Sequence, residues 1–556
     1  MKLNKSPNLL IDVQDLSLYF EEAQVPVLSE ISFQLQQREN VLLLGPSGCG
    51  KSTLTFCLNG IYPSELDGRL EGEVSLNGKP TSEFSPGELS QKVGVVFQDP
   101  EGQFCMMTVE DEVAFGLENI GVPVEEMEER IDQVLDLVNL LPYKEQSIHS
   151  LSGGMKQKLA LACVLALQPD VLILDEPTAN LDPLAKKDFI QTIQFLQQKQ
   201  PFSMIVIEHQ LEGWIPLIDR SLIMNKQGEI FYEGPLRNGI QQHVQFMKEQ
   251  GICLPKATEL ALQSEIDRAH LPLTVEELKR MGGVSVPPKK RTYHDQPVIL
   301  QAENIEWSKG NERIIDNMNF SLREGEFMAI VGANGSGKTS FSRILSRLET
   351  RQKGSIDLFG KALQSWREAE LRRKIGYVFQ NPEHQFITDQ VYDEIAYSLR
   401  LQNKSEEEIA MKVQEVLRQC QLDGLEYRHP FTLSQGQKRR LSVAIMAIED
   451  PAILILDEPT FGQDGRSTEE IMNLLSRKNE EDTAIVMITH DMELVHDYAD
   501  RVVVFESGKT VFDGVPQELW NKPSDVLESW HLERPIQAVI EEDEGRKVNR
   551  HASSTT

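Results

Sequence analysis

Two segments of the 556-residue chain have the residue types and the spacing that bind phosphate groups. They follow the pattern G-x-x-x-x-G-K-[S/T] and comprise Gly45, Pro46, Ser47, Gly48, Cys49, Gly50, Lys51, Ser52 and Thr53, and then Gly332, Ala333, Asn334, Gly335, Ser336, Gly337, Lys338, Thr339 and Ser340. Glycines at these positions let backbone N–H groups surround phosphates, and the following helix N-terminus adds a partial positive charge. We expect Lys51 and Lys338 to reach the β- and γ-phosphates, and Ser52 and Thr339 to bind Mg²⁺.

Two acidic pairs, Asp175-Glu176 and Asp457-Glu458, end apolar runs and are each followed by Pro-Thr. The aspartate of such a pair suits contact with Mg²⁺, and the glutamate can orient or deprotonate an attacking water. The alternative is that each pair simply caps the next helix. The upstream phosphate-binding loops favour the catalytic interpretation.

His209 and His490 follow a third apolar run at matched places in the chain. A single histidine is more often structural than catalytic. Because the histidine recurs, we favour a contact with the γ-phosphate that also holds the glutamate and its water in place.

A further pair of segments can bind an anion without a lysine. Ser152, Gly153 and Gly154 open one apolar helical stretch, and Ser434, Gln435 and Gly436 open the other. A serine hydroxyl and glycine N–H groups at a helix N-terminus form an anion site. Such a site is useful if it closes on nucleotide held by the other half of the chain.

These motifs recur in one order at nearly constant spacing, so the chain is an internal duplication. The lysines are offset by 338 − 51 = 287 residues, and the Asp-Glu pairs by 457 − 175 = 282 residues. Each copy has the length of a whole domain. We place the first copy at 8–245, a linker at 246–296, the second copy at 297–535 and a polar, disordered tail at 536–556.

The elements that must position the motifs are short apolar strands. The candidate strands are Val41–Leu44, Val171–Leu174, Met204–Ile207, Phe327–Val331, Ile453–Leu456 and Ile485–Ile488. Short apolar runs between turn residues are typical of parallel strands buried on both faces. Longer helical patterns lie between them, as at Glu125–Leu140 and Glu406–Leu422. The expected fold class is α/β, present twice.

The composition disfavours several further classes of function. The net charge of −30 disfavours binding to a nucleic-acid backbone. The six cysteines have no metal-ligand spacing, and the longest apolar runs are far below the roughly 20 residues that cross a bilayer. We therefore expect a soluble intracellular protein whose membrane role, if it has one, comes through a partner.

Together the motifs resemble those of the ATP-binding-cassette (ABC) ATPases, and the resemblance covers both copies. It implies two P-loop nucleotide-binding domains, each with a mainly parallel core sheet and a helical subdomain, that use ATP and Mg²⁺. It also implies that Gln98 and Gln380 contact nucleotide and Mg²⁺, that Asp175 and Asp457 help to hold the metal, and that the two domains pair head to tail within the chain.

The segments Gln98–Phe104 and Gln380–Phe386 are similar to those of the energy-coupling-factor (ECF) import ATPases, and the fused pair resembles the subunits assigned to hydroxymethylpyrimidine/thiamine import. This resemblance implies two kinds of integral membrane partner, a transmembrane coupling protein and a substrate-binding membrane protein. The chain would then lie at the cytoplasmic face of the cell membrane and drive uptake of a vitamin-like small molecule or a metal ion. Pro100–Phe104 and Pro382–Phe386 would line the groove for the membrane partner.

The alternative function is a soluble tandem ABC ATPase of the translation-factor class that acts on ribosomes. That class needs a long charged helical arm between the domains, and this chain has a short linker and an acidic charge. Two sequence departures lead to further expectations. Gln435 stands where the family has glycine, so we expect the Lys338 site to carry most of the turnover. Cys49 lies inside a phosphate-binding loop, so we expect a reactive thiol.

Overall fold

The computed structural model describes residues 8–20, 23–179, 181–200, 202–264, 270–282, 296–310, 312–350 and 352–543. These residues divide into two compact units. The first contains Met1–Leu181, Ala185–Leu262 and Asp267–Thr274, and the second contains Asp182–Leu184, Gln263–Ile266 and Val275–Thr556, as far as each range is described.

The first unit is built from ten strands and nine helices among its described residues. The strands are β1 (Leu9–Tyr19), β2 (Leu28–Gln36), β3 (Asn40–Leu44), β4 (Arg69–Leu76), β5 (Lys79–Pro80), β6 (Val93–Val96), β7 (Val171–Asp175), β8 (Ser203–Ile207), β9 (Arg220–Met224) and β10 (Ile230–Gly234). The helices are α1 (Lys51–Leu58), α2 (Ile61–Ser64), α3 (Pro86–Lys92), α4 (Val109–Asn119), α5 (Val124–Leu137), α6 (Gly153–Ala166), α7 (Pro183–Lys199), α8 (Leu236–Gln250) and α9 (Lys256–Gln263).

The second unit repeats this arrangement. Its strands are β11 (Val298–Lys309), β12 (Glu312–Arg323), β13 (Phe327–Gly332), β14 (Lys353–Leu358), β15 (Lys361–Ala362), β16 (Ile375–Val378), β17 (Ile453–Asp457), β18 (Ala484–Ile488), β19 (Arg501–Glu506) and β20 (Lys509–Gly514). Its helices are α10 (Val275–Met281), α11 (Lys338–Leu345), α12 (Glu368–Arg372), α13 (Val391–Leu401), α14 (Glu406–Gln419), α15 (Gln435–Ala447), α16 (Gly465–Glu480), α17 (Met492–Tyr498), α18 (Pro516–Trp520), α19 (Ser524–Ser529) and α20 (536–543).

Each unit has a six-stranded core sheet that is parallel except at one edge. The strand order is β10-β9-β3-β8-β7-β6 in the first unit and β16-β17-β18-β13-β19-β20 in the second. Strands β10 and β20 are antiparallel to their neighbours. Every residue of β7, β8, β17 and β18 is buried, as expected of parallel strands covered on both faces. The predicted α/β class and the six predicted strands are thereby confirmed.

A second, antiparallel sheet accompanies each core sheet. Its order is β2-β1-β4-β5 in the first unit and β12-β11-β14-β15 in the second. Along β2 the burial alternates, because one face of the strand packs on the core and the other meets solvent. The sequence analysis did not identify these strands, since it searched for continuous apolar runs rather than for alternation.

The predicted helical subdomain is also present in each unit. Helices α4 and α5 pack on α6, and helices α13 and α14 pack on α15. The predicted helical segments Glu125–Leu140 and Glu406–Leu422 correspond to α5 and α14, which end about three residues earlier than predicted. Among the described residues, no helix is both long enough and apolar enough to cross a membrane.

The structure adds detail to the predicted domain boundaries, which stay predictions. Helices α9 and α10 form within the predicted linker 246–296, while 265–269 and 283–295 of that linker lie outside the described residues. The prediction that 536–556 is disordered is wrong for 536–543. These residues form α20, whose Gln537, Ala538 and Ile540 are buried against the rest of the fold. Residues 544–556 lie outside the described part.

The packing of α20 predicts a stability effect. Replacing Ile540, which is 4% exposed, by alanine removes buried methyl groups and should lower the free energy of unfolding of the second unit by about 2–4 kcal/mol. Urea unfolding followed by tryptophan fluorescence measures this change. The control is Glu541→Ala, on the exposed side of the same helix. Equal midpoints for both variants would contradict the packing role of α20.

Candidate active site

The predicted site residues of each unit follow the carboxyl ends of neighbouring parallel strands. In the first unit, the loop 45–50 follows β3, His209 follows β8, Asp175 ends β7, and Gln98 follows β6. In the register of this sheet, Ile207 pairs with both Leu43 and Asp175. Because carboxyl ends of parallel strands meet at one edge of a sheet, these side chains are brought together.

The second unit has the same arrangement. The loop 333–337 follows β13, His490 follows β18, Asp457 ends β17, and Gln380 follows β16. Ile488 pairs with both Ile330 and Asp457 in the sheet register. The structure therefore brings both sets of predicted phosphate-binding, metal-binding and catalytic residues to a sheet edge.

The two phosphate-binding loops are closed by their lysines. Lys51 Nζ donates to the carbonyl oxygens of Gly45 (2.9 Å) and Pro46 (3.0 Å). Lys338 Nζ donates to the carbonyl oxygens of Gly332 and Ala333, both at 2.8 Å. Both ammonium groups are buried, and burial lowers the pKa of Lys338. Each lysine is thus held beside the loop backbone, where a phosphate oxygen can replace the carbonyl oxygens.

The loop backbone fits a phosphate chain. A Cβ atom built on Gly48 or Gly335 would have no neighbour within 4 Å, and both glycines have a positive φ, 77° and 79°. The hydroxyl of Ser336 is buried and has no hydrogen-bond partner among the described residues. Open space at the apex, a buried lysine and an unsatisfied hydroxyl are what a triphosphate would require of this loop.

The predicted metal-binding residues contact one another in both units. Ser52 donates a hydrogen bond to Asp175, and burial raises the pKa of this aspartate to about 6 against the opposing effect of that bond. Thr339 Oγ1 donates to Asp457 Oδ1 at 3.1 Å. A hydroxyl next to a buried carboxylate is an oxygen donor set that suits Mg²⁺. The residues present therefore fit the metal.

The second unit adds a tyrosine that the sequence analysis missed. The Tyr377 hydroxyl lies 3.4 Å from Asp457 Oδ2 and 3.1 Å from Ser342 Oγ. The corresponding residue of the first unit, 282 positions earlier, is Val95. Only the fold could have shown this contact. Tyr377 lies in a short apolar run, and such a pattern predicts a buried strand but no polar contact.

The two glutamates predicted to be catalytic share an unusual backbone conformation. Glu176 and Glu458 both have a φ of 50°, in the left-handed region that residues other than glycine rarely adopt. Their N–H groups donate to the carbonyl oxygens of Ile207 (2.9 Å) and Ile488 (3.0 Å) on the neighbouring strands. This hydrogen bond holds each glutamate at the end of its strand, close to the histidine that follows the neighbouring strand.

In the first unit, His209 bridges the glutamate and a cysteine. His209 Nε2 lies 2.8 Å from Glu176 Oε1, and its Nδ1 lies 3.6 Å from Cys253 Sγ. Burial lowers the pKa of His209, but attraction to Glu176 and hydrogen bonds with Cys253 and Glu176 together raise it to about 10. Cys253 lies between α8 and α9, 44 residues from His209, so no motif could have identified it.

In the second unit, the surroundings of the histidine lower its pKa instead of raising it. His490 Nε2 lies 3.3 Å from Glu458 Oε1. Burial, with repulsion from Lys338, lowers the pKa of His490 to about 3. Burial also raises the pKa of Glu458, which weakens the attraction of its carboxyl for a protonated imidazole. The pKa shifts of the two histidines therefore have opposite directions at matched positions.

Gln98 and Gln380 follow β6 and β16 closely, and a second glutamine in each segment fixes the turn behind them. Gln103 Oε1 accepts from Phe97 N at 3.0 Å, and Gln385 Oε1 accepts from Phe379 N at 3.3 Å. The sequence analysis noted these glutamines only as part of a motif. Their contacts show that they hold the backbone that precedes Gln98 and Gln380.

The anion-binding serines begin helices of the helical subdomain instead of following sheet strands. Ser152 Oγ accepts from Met155 N, and Ser434 Oγ accepts from Gln437 N, both at 3.3 Å. The Gln435 side chain is exposed, while a Cβ on Gly436 would lie 2.8 Å from Ser467 Oγ. The extra side chain therefore leaves the capping geometry of Ser434 unchanged, and unequal turnover stays a prediction.

The expectation of a reactive thiol at Cys49 is wrong. This side chain is 3% exposed and belongs to the hydrophobic core of the first unit. A Cβ on Gly45 would lie 2.7 Å from Cys49 Sγ, so the thiol points back toward the base of the loop. Its loop position predicted contact with phosphate, but the backbone turns the side chain the other way.

The charge difference between the two histidines is directly measurable. At pH 7 we expect a proton on both ring nitrogens of His209 and on only one ring nitrogen of His490, given pKa values of about 10 and about 3. Nitrogen-15 NMR of histidine-labelled protein reports this, with His209→Gln and His490→Gln to assign the signals. Identical protonation of the two rings would refute the asymmetry.

Comparison with known proteins agrees with this geometry. The ABC transporter family model matches residues 28–179 and 315–461, together more than half of the chain. The chain is 44% identical over 531 residues to YkoD of Bacillus subtilis (strain 168), named as an HMP/thiamine import ATP-binding protein, with 95% of each chain covered. It is 36% identical over 537 residues to TTE1589 of Caldanaerobacter subterraneus, named as an ABC transporter ATP-binding protein, with 93% of each chain covered.

Among solved structures, the chain is similar to CbiO1 of Clostridium perfringens, part of the ABC transporter complex CbiONQ. The identity is 28% and the TM-score 0.38, covering 46% of this chain and 96% of that one. The resemblance to ABC ATPases that the motifs indicated is confirmed by the family match and by the curated relatives. The chain belongs to the ABC transporter family and contains two ATP-binding cassettes in tandem.

Proposed function

We propose that this chain is the ATP-hydrolysing, energy-coupling subunit of an ECF-type importer that takes up a vitamin-like small molecule or a metal ion. The observation that carries the proposal is that each cassette gathers a lysine loop, an aspartate, a glutamate and a histidine at one sheet edge. That set contains the groups that bind a triphosphate and position a water for attack.

In each cassette, different residues bind the phosphates and the metal ion. Lys51 and Lys338 bind the β- and γ-phosphates, and the loop N–H groups orient them. Ser52 with Asp175, and Thr339 with Asp457, would hold Mg²⁺ together with Gln98 and Gln380. When bound, Mg²⁺ would neutralise phosphate charge.

Glu176 and Glu458 are the bases that orient and deprotonate water. The raised pKa of Glu458, caused mainly by burial, keeps this base closer to neutral pH than a solvated glutamate. His209 and His490 hold the glutamates and contact the γ-phosphate. His209 does so as a cation and His490 as a neutral ring, at their pKa values of about 10 and about 3.

Membrane partners complete the proposal. YkoD is named for HMP/thiamine import, and its length is matched almost completely by this chain. Since no described helix can cross a membrane, the pathway would be supplied by a transmembrane coupling protein and a substrate-binding membrane protein. The chain would bind them at the cytoplasmic face, through Pro100–Phe104 and Pro382–Phe386. Head-to-tail pairing of the cassettes is part of the same proposal.

The ribosome-acting alternative has no support from the relatives. The matching family is that of ABC transporters, and the two relatives are named for import and for ABC transport. We therefore do not retain this alternative.

One experiment tests the proposal as a whole. The affinity-tagged full chain is purified from solubilised membranes of its own cells, and bound proteins are identified by mass spectrometry. ATP hydrolysis is then measured with Mg²⁺ and with EDTA. We expect integral membrane proteins in stoichiometric amounts and hydrolysis only with Mg²⁺. Capture of ribosomal proteins without membrane proteins, or metal-independent hydrolysis, would overturn the proposal.

Replacing the two glutamates tests how turnover is divided. Glu458→Gln keeps the shape but removes the base, and should slow hydrolysis by about 10²–10⁴-fold while ATP binding persists. Glu176→Gln should leave most of the turnover, because we expect the exposed Gln435 side chain to restrict the approach of Ser434 to nucleotide at the site that the resemblance assigns to Lys51. The measurements are kcat and ATP affinity in the intact complex. If both variants lose turnover equally, the predicted asymmetry fails.

Tyr377 allows a test of metal binding in the second cassette. Tyr377→Phe removes the hydroxyl beside Asp457 and should raise the Mg²⁺ concentration for half-maximal hydrolysis by about tenfold. Tyr427→Phe, at an exposed position in the same cassette, serves as the control. An unchanged Mg²⁺ requirement in Tyr377→Phe would show that the hydroxyl does not support the metal site.

A further inference from the structure

The same two contacts join the first two turns of α6 and α15 to the segments 97–103 and 379–385, which contain Gln98 and Gln380. In the first cassette, Lys156 pairs with Glu101, and Gln157 Nε2 donates to the Phe97 carbonyl at 3.2 Å. In the second, Lys438 Nζ lies 2.6 Å from Glu383 Oε1, and Arg439 donates to the Phe379 carbonyl at 2.8 Å. We call Ser152 and Ser434, which precede the two helices, the signature serines, and each set of contacts a signature clasp.

The two clasps occupy equivalent positions. The lysines are offset by 438 − 156 = 282 residues and the glutamates by 383 − 101 = 282 residues. The same offset relates Gln157 to Arg439 and Phe97 to Phe379. The contacts are preserved although glutamine in one copy is arginine in the other, so the connection itself is what the two copies share.

Burial makes the clasps strong positional restraints. Gln157 is 1% exposed and Arg439 is 3% exposed. A buried amide or guanidinium group that loses its acceptor has no water to replace it, so separating the helix from the segment carries a large penalty. The lysine–glutamate pair adds a charged hydrogen bond at the edge of the same contact.

Each clasp connects two functional parts of the cassette. Helix α15 begins directly after Ser434, and Lys438 and Arg439 lie in its first two turns. Glu383 belongs to the short 3-10 helix Pro382–Gln385, which follows Gln380. Because α15 is a continuous helix, a shift of the segment 379–385 displaces its N-terminus as a rigid body.

We propose that Lys438 and Arg439, with Lys156 and Gln157 in the first cassette, are positioning residues that make the signature serine move together with the segment 379–385 or its counterpart 97–103. The inference rests on the proposed function, in which that segment contacts the membrane partner. When the partner displaces the segment 382–386, the side chains of Lys438 and Arg439 transmit this displacement to α15 and Ser434. The clasp acts through the serine and does not itself touch nucleotide.

The second clasp has an additional contact. Ser442 donates a short hydrogen bond to Gln385, and Gln385 Nε2 donates to the Ser442 carbonyl at 3.4 Å. The equivalent residue of the first cassette is Ala160, which has no hydroxyl. In the second clasp, three side chains of α15 therefore contact the segment 379–385. The experiment below is designed for this clasp.

Hydrogen–deuterium exchange of the purified full chain, with and without Mg²⁺ and the non-hydrolysable analogue AMP-PNP, tests the clasp. In the wild-type chain, nucleotide should slow exchange in 332–345, 379–387 and 434–442 together. In Lys438→Met, the first region should keep its protection, while the nucleotide response of 379–387 falls by about fivefold relative to 434–442. The charge-swapped variant Lys438→Glu with Glu383→Lys should restore the joint response.

The matched control is Lys478→Met. Lys478 is a buried lysine of the same cassette whose Nζ lies 2.8 Å from Asp450 Oδ1, and it does not contact the 379–385 segment. This variant should keep the joint response, and thermal melting shows whether the two lysine variants are equally stable. If 379–387 and 434–442 still respond together in Lys438→Met, or if the swap fails to restore them, the clasp is refuted. If nucleotide does not protect 332–345 in the wild-type chain, the proposed function fails and the clasp falls with it.

Discussion

The site in each cassette depends on parallel pairing of three buried strands. In the first cassette, Ile207 pairs with Leu43 on one side and with Asp175 on the other. A slip of one residue in this register would turn the loop lysine, the aspartate and the histidine away from one another, because alternate residues of a strand face opposite sides. Full burial of these strands fixes the register, so hydrophobic packing is what aligns the polar groups.

Burial also produces the electrostatic character of the two sites. In both, carboxylates, a lysine and a histidine are withdrawn from water, which strengthens every interaction among them. The outcome differs between the copies because small contacts decide which group holds the charge. Cys253 and Glu176 stabilise a protonated His209, whereas His490 faces a glutamate whose own pKa is raised by burial. The two copies therefore share one scaffold, while the histidine pKa is shifted in opposite directions.

In each cassette, the helical subdomain is connected to the core sheet at the turn that contains Gln98 or Gln380. Gln103 and Gln385 bind the backbone that leaves β6 and β16, and the side chains of α6 and α15 bind the same turn from the other side. A segment held in this way responds as a unit, since loss of any one buried hydrogen bond leaves a polar group unsatisfied. In the function proposed above, this connection joins the segment assigned to the membrane partner with the helix that begins after the serine.

The sequence by itself determined the duplication, the phosphate-binding loops, the acidic pairs and the core strands. These features are local: each depends on residue types within a few positions, and local spacing can be read without knowing the path of the chain. The tertiary structure alone decided that Cys49 faces the core, that Tyr377 reaches Asp457, and that Cys253 meets His209. It also decided that 536–543 folds. Each of these depends on which distant surface a side chain meets, and burial against a distant surface leaves no periodic signal in a short stretch of sequence.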